Sequence, residues 1–133
     1  MNILVIDGQG GRIGALLVSS IIKNFSDCAI TVVGTNGAAT AAMLKAGAKD
    51  AATGENAVIV CARSADVIIG PVGIVIADSL LGEVTPAMAV AVGQSRAKRI
   101  LLPINQCDNM VAGIVDLSVN KIIQHVIELI GEL

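Results

Sequence analysis

Aromatic residues are almost absent from this 133-residue chain, which has one Phe and no Trp or Tyr. Without ring platforms it has nothing on which the bases of single-stranded nucleic acid would stack. Charge is also scarce: 15% of residues are charged and the net charge is −2. No basic field is available to attract a nucleic acid or an anionic membrane surface, so neither is expected as a partner. The longest apolar run, Val67 to Ala77, lies between Asp66 and Asp78 and is far shorter than the ~20 residues of a membrane span. The N-terminus carries no basic segment and meets Asp7 before a signal-like core could form. Cys28, Cys61 and Cys107 are odd in number and scattered, which excludes a CxxC or metal-ligand spacing. A cytoplasmic, reduced protein is expected. The lone histidine, His125, falls on the last helical pattern, far from the loops discussed below, so a histidine-based triad is excluded.

What the chain has in abundance is aliphatic side chains, hydrophobic residues making up 54% of it. A core of Val, Ile, Leu and Ala suits a parallel sheet covered by helices. So apolar a domain with so few charges is expected to expose some of that excess and cover it with another copy of itself, giving a homo-oligomer.

Strand and helix patterns alternate along the whole length, which implies one α/β domain over residues 1–133. Ile3-Leu4-Val5-Ile6 is a continuous apolar run, and Ile13, Leu16, Leu17, Ile21 and Phe25 form a helical stripe after it. Ala29 to Val33 makes a second strand, and Ala38 to Ala46 a helix closed by Gly47. Lys49 to Ala52 reads as a short edge strand, with Thr53 as the cap of a helix over Glu55 to Arg63. Asp66 to Ile69 is the next strand, stopped by Gly70-Pro71-Val72-Gly73. Ile74 to Leu81 is apolar on all sides and is assigned to a short helix. Thr85-Pro86 starts a helix running to about Gln94, and Arg99 to Leu102 forms a strand. A further short strand is expected over Val111 to Val115. Asp116 or Ser118 would then cap the final helix. The fold expected is a three-layer, Rossmann-like open parallel sheet with right-handed connections and helices on both faces.

In such a sheet, ligands gather beyond the carboxyl ends of the strands where strand order reverses. Four loops leave strand ends: Asp7 to Gly14, Gly34 to Gly37, Gly70 to Gly73, and Pro103 to Asn109. The first joins a strand directly to a helix, and the unpaired N–H groups there favour an anion such as phosphate. The candidate ligand-binding residues are Asp7, Gly8, Gly10, Gly11, Arg12, Ile13 and Gly14 from this loop, Thr35 and Asn36 from the second, Gly70, Pro71 and Gly73 from the third, and Asn105 from the fourth. Asp7 could hold Mg²⁺ against a phosphate or bind a ribose hydroxyl, or simply accept N–H bonds from its own turn. Cys107, in a predicted loop at the site edge, is the cysteine best placed to react, though Asp108 beside it would blunt it and no histidine is near in sequence, whereas Cys28 and Cys61 read as packing residues. Asp78 and Glu83 flank the Ile74 to Leu81 run and would serve as acid and base if it folds over the site; the reading preferred is solvated ends around a buried apolar run, with Arg96, Lys98 and Arg99 as solvated charges. Replacing Gly11 with Asp is expected to abolish ligand binding and leave the fold intact.

Gly8, Gly11 and Gly14 give the pattern G-x-x-G-R-I-G. It resembles the first loop of dihydrodipicolinate reductase and related nicotinamide-dependent folds, in which G-x-x-G-R-M-G binds the cofactor pyrophosphate. The resemblance covers the first strand, loop and helix, and implies NAD(P) or a mononucleotide as ligand. The acid that binds ribose in such folds, about 20 residues further on, has no counterpart in Val33-Gly34-Thr35-Asn36. Over nearly its full length the chain also resembles a small bacterial family of short Rossmann-like proteins, through V-I-D-G-Q-G-G-R-I-G at 5–14, A-D-V-I-I-G-P-V-G-I at 65–74, A-D-S-L-L-G-E at 77–83 and L-L-P-I-N-Q-C at 101–107. That likeness implies a fold and no activity. Three roles stand open from sequence: a protein that binds a nucleotide or phosphometabolite, a small NAD(P)-dependent oxidoreductase completed by a neighbouring subunit, and a structural subunit of a homo-oligomer.

Overall fold

A computed structural model describes residues 1–104, 108–115 and 118–133. The described elements alternate: β1 (Asn2–Asp7), α1 (Arg12–Asn24), β2 (Ala29–Gly34), α2 (Gly37–Lys45), β3 (Asp50–Thr53), α3 (Glu55–Ser64), β4 (Val67–Pro71), α4 (Pro86–Gln94), β5 (Lys98–Leu102) and α5 (Val119–Gly131). All five strands are parallel, in the order β3-β2-β1-β4-β5. The chain moves outward from β1 through β2 to β3, then returns to place β4 on the other side of β1. Strand order therefore reverses between β1 and β4, and a crevice is expected beyond their carboxyl ends.

Central strands bury both faces, so β1 reads as an unbroken apolar run and not as an alternation. Ile3 and Val5 face one layer, packed with Leu17, Val18 and Ile21 of α1, Met43 of α2 and Ile123, Val126 and Ile130 of α5. Leu4 and Ile6 face the other, packed with Val58 and Ala62 of α3 and Met88 and Val92 of α4. The architecture is a three-layer α/β sandwich of Rossmann-like form. Among the described residues no helix is long and apolar enough to cross a membrane.

Four expectations from sequence need correction. Val111 to Val115 form no strand; these residues are exposed and turn at Ala112 and Gly113. Ile74 to Leu81 is not a helix either. A 3₁₀ turn covers Val72–Val75, and turns follow it to Glu83. Only Ile74 and Leu80 are fully buried in this stretch, with Val75 partly so, and anchors at that spacing do not make a helical stripe. β4 runs on through Gly70 and Pro71, paired with Leu101 and Leu102. Proline can stand there because Pro71 ends the strand, beyond the last β1 pairing at Ile69. Thr53 does not cap α3: Gly54 holds the cap position, and the Thr53 hydroxyl pairs with Thr40 at 2.7 Å. Ser118 does cap α5, accepting from Lys121 N–H at 3.3 Å. Asp116 lies outside the described residues.

Candidate functional site

Asp7 ends β1 and turns its side chain back under the glycine loop. Its two carboxylate oxygens accept from Gly8 N–H at 2.8 Å and Gly14 N–H at 2.7 Å. Gly11, the residue before α1, has no side chain to cap the helix, so Asp7 supplies the anion at its N-terminus. It is 3% exposed. Burial raises its pKa above the usual carboxylate value, and the charge of Glu83 adds to the rise; the Gly14 and Gly8 N–H bonds oppose them and do not win.

The loop over Asp7 is pinned from two sides. Gly11 N–H donates to Gly8 O at 2.9 Å, and Gly11 adopts φ +72°. A Cβ there would stand 2.7 Å from Ala39 Cα and 2.8 Å from Ala39 O, so the loop and α2 are in backbone contact. Gly11→Asp would therefore disrupt the fold, contrary to the expectation from sequence. Gly10 differs: it is exposed, and a Cβ would meet nothing within 4 Å. Arg12 is exposed beside it, while Gly8, Ile13 and Gly14 are buried.

The second side is Glu83, expected from sequence to be a solvated end. Its Oε1 accepts from Gln9 N–H at 2.8 Å, the Thr35 hydroxyl at 2.8 Å and the Asn36 amide at 2.6 Å. Burial pushes its carboxyl up, but these three donors outweigh that and hold it below the ordinary carboxylate value. Asn36 in turn donates to Gln9 O at 2.9 Å and caps α2 by accepting from Ala39 N–H at 2.9 Å. Thr35 N–H donates to Asp7 O at 2.9 Å. Thr35 and Asn36 are thus brought to the first loop, as expected of the end of β2. A carboxylate stands at the end of β2, brought there by a residue 48 positions beyond Thr35. Oε2 of Glu83 has no hydrogen-bond partner among the described residues.

Glu83 reaches this position on a strap, residues 72–84, that leaves β4 and crosses back toward the first loop. Asp78, Leu80 and Leu81 hold φ values of +66°, +54° and +57°, a left-handed run that side chains disfavour. The strap persists because Leu80 is buried, the Ser79 hydroxyl donates to Gly73 O and Asp78 N–H donates to Val84 O at 2.7 Å. No periodicity in the sequence marks such a strap. The one available signal was an acid, Glu83, closing an apolar run directly before a capped helix.

The third loop contributes less surface than expected. Gly70, Pro71 and Gly73 are all buried. Gly70 lies where a side chain would strike the backbone of β1 at Ile6 and the side chain of Ile74, so its role is close packing at the switch point. Asn105 and Cys107 lie outside the described residues. His125 is exposed on α5, lining a groove with β5 well apart from this crevice. Arg99 is not a free surface charge: its guanidinium donates to Ser95 O at 2.8 Å at the end of α4. Burial raises the Cys61 thiol pKa, which leaves it a packing residue. Among the described residues no group of three or more His, Cys, Asp or Glu side chains is placed to hold a metal ion.

The first loop and Glu83 thus form one polar cluster at the carboxyl ends of β1 and β2. Its inner donors are taken by Asp7, and its outer edge at Gly10, Arg12 and Glu83 Oε2 is open. The chain belongs to the family described as Domain of unknown function (DUF3842), which matches residues 2–133. No curated protein matches it in sequence.

Proposed function

We propose that this protein binds a mononucleotide in the crevice beyond β1, β2 and β4, as a binding module or sensor. The observation that carries the reading is the Glu83 carboxylate at the end of β2. One of its oxygens is fixed by three donors and the other is uncommitted. A fixed, ionised carboxylate with a spare oxygen suits the paired hydroxyls of a ribose, the role an acid after the second strand has in dinucleotide-binding folds. The phosphate would lie at the outer edge of the first loop, held by Gly10 N–H and the Arg12 guanidinium. Asp7 already neutralises the inner end of the α1 dipole, which limits the site to one phosphate group and disfavours a longer chain. Strand order supports the same choice. β1 to β3 with α1 and α2 have the βαβαβ arrangement of one half of a dinucleotide-binding fold, and beyond β1 the sheet continues with only β4 and β5.

The test is a thermal-shift series with AMP, GMP, NADH, NADPH, inorganic phosphate and 2′,3′-dideoxy-AMP, each with and without Mg²⁺. At a hundred times its dissociation constant a ligand adds ~2.7 kcal/mol, several degrees for a domain of this size. A ribonucleoside monophosphate is expected to raise Tm and the dideoxy analogue is not. Glu83→Gln should abolish the difference between the two. A shift given only by NADH and NADPH would favour the oxidoreductase reading instead. A flat series would favour a structural subunit.

A further inference from the structure

α4 is the most uniformly apolar of the outer helices, followed by α2, which has Lys45 as its one charge. Pro86 to Gln94 contains no charged residue. Met88, Ala89 and Val92 face the core, while Ala87, Val90 and Gln94 face outward. α5 has the ordinary pattern: Ile123, Val126 and Ile130 are buried, and Lys121, Gln124 and Glu128 are exposed. A helix that is apolar all round normally has protein on both sides. Here the outer side is bare, with Val90 53% exposed, and α3 beside it presents Val60 at 48%.

The charges around this bare face are sorted by end. α3 and α4 lie side by side with like ends together: Glu55 accepts from the Thr85 hydroxyl at 2.6 Å at their N-termini, and the Ser95 hydroxyl donates to Ala62 O at 2.7 Å at their C-termini. Glu55 is thus the acid at one end. Arg63 and Arg96 share a shallow hollow at the other. An apolar strip with an acid at one end and two guanidinium groups at the opposite end matches itself when turned through a half-rotation. A two-fold interface needs that property, since the same patch meets itself.

We propose that a second copy of this chain docks on the α3–α4 face across a two-fold axis, with Val60 and Val90 at its centre and Glu55 of each protomer set against Arg63 and Arg96 of the other. The small Ala87 and Ala91 side chains on α4 would allow the helices close approach. The arrangement leaves the crevice at the strand ends to each protomer, so it stands whether or not a nucleotide binds there.

Sedimentation velocity and light scattering of the purified chain test this. A dimer, or an even-numbered assembly of dimers, is expected. Val90→Glu changes only an exposed position, so it should leave the far-ultraviolet circular dichroism unchanged. It should halve the mass, or raise the dissociation constant by ~30-fold or more, as loss of a central contact does. Glu55→Arg alone should weaken association, and adding Arg63→Glu and Arg96→Glu should restore it. A monomeric parent chain overturns the proposal. So does an oligomer indifferent to Val90→Glu, most plainly one that Ile114→Glu beside the β5–α5 groove disrupts instead. A charge-swapped triple variant that stays as weak as Glu55→Arg overturns the half-rotation geometry.

Discussion

Two segments meet beyond the ends of β1 and β2, and both turn the chain through left-handed backbone with different residues. The first loop places glycine at its tight point, where Gly11 has φ +72° and touches the backbone of Ala39. The strap after β4 places Asp78, Leu80 and Leu81 in the same region of φ, with Gly82 following at +88°. Glycine adopts that conformation freely, whereas a side chain costs ~1–2 kcal/mol per residue. At Gly11 the loop is relaxed and locked by packing, and its one strained residue is Gln9 at φ +50°, whose N–H is held by Glu83. The strap carries three such residues and is held by the buried Ile74, Leu80 and Val84, by the Ser79 hydroxyl on Gly73 O, and by Glu83 on the loop. A site built from one rigid and one strained wall should yield at the strained one.

The strongest way to break this contrast is at Gly11. Gly11→Ala is expected to cost about 4 kcal/mol in urea unfolding, from the left-handed backbone together with contact on Ala39. Gly10→Ala, into open space, should stay within about 1 kcal/mol of the parent. Equal costs at the two positions would mean that the loop is not locked against α2. Leu80→Ala comes next, at about 3 kcal/mol, because a large anchor only 1% exposed is lost. Faster amide exchange should then appear across residues 76–84 and leave Gly11 to Leu17 unchanged.

The two carboxylates sharpen the comparison through pH. Glu83 is held below its ordinary value of 4.5, so its contribution is complete above that pH and is lost as the pH falls through its lowered folded value. Asp7 behaves in the opposite sense. Its folded value lies above 3.8, so its ionisation costs stability as the pH rises from 3.8 to that value, and the cost is constant above it. Glu83→Ala should cost about 1–2 kcal/mol at pH 7, with water screening discounted for a partly exposed group. The variant should also lose less stability than the parent on acidification below pH 4.5. An unchanged acid limb would show that Glu83 does not fasten the strap. The smallest effect is a gain: Leu81, 96% exposed at φ +57°, should become about 0.5–1 kcal/mol more stable as Leu81→Gly.

Much of this fold is legible in the sequence, because buried parallel strands need continuous apolar runs and the caps of α4 and α5 at Thr85 and Ser118 are short-range signals. The first loop is legible for the same reason, as a strand, glycines and a helix in immediate succession. The strap is not. Its shape depends on Leu80 finding the core and Glu83 finding Gln9, contacts made across more than 70 residues of chain. Local pattern carries no trace of them, so an apolar stretch reads as a helix and its terminal acid as a solvated charge. Glu83 comes to the end of β2 from a distant segment, because position in space and position in sequence part at the switch point.

The most direct test of the nucleotide reading is an amide-resonance titration of the ¹⁵N-labelled protein with AMP, repeated with 2′,3′-dideoxy-AMP. AMP is expected to move Gly10, Arg12, Thr35 and Glu83 together, saturably, and the dideoxy analogue to move Gly10 and Arg12 at most. Resonances that stay in place at all four positions, or that move only along the β5–α5 groove, would contradict the nucleotide reading.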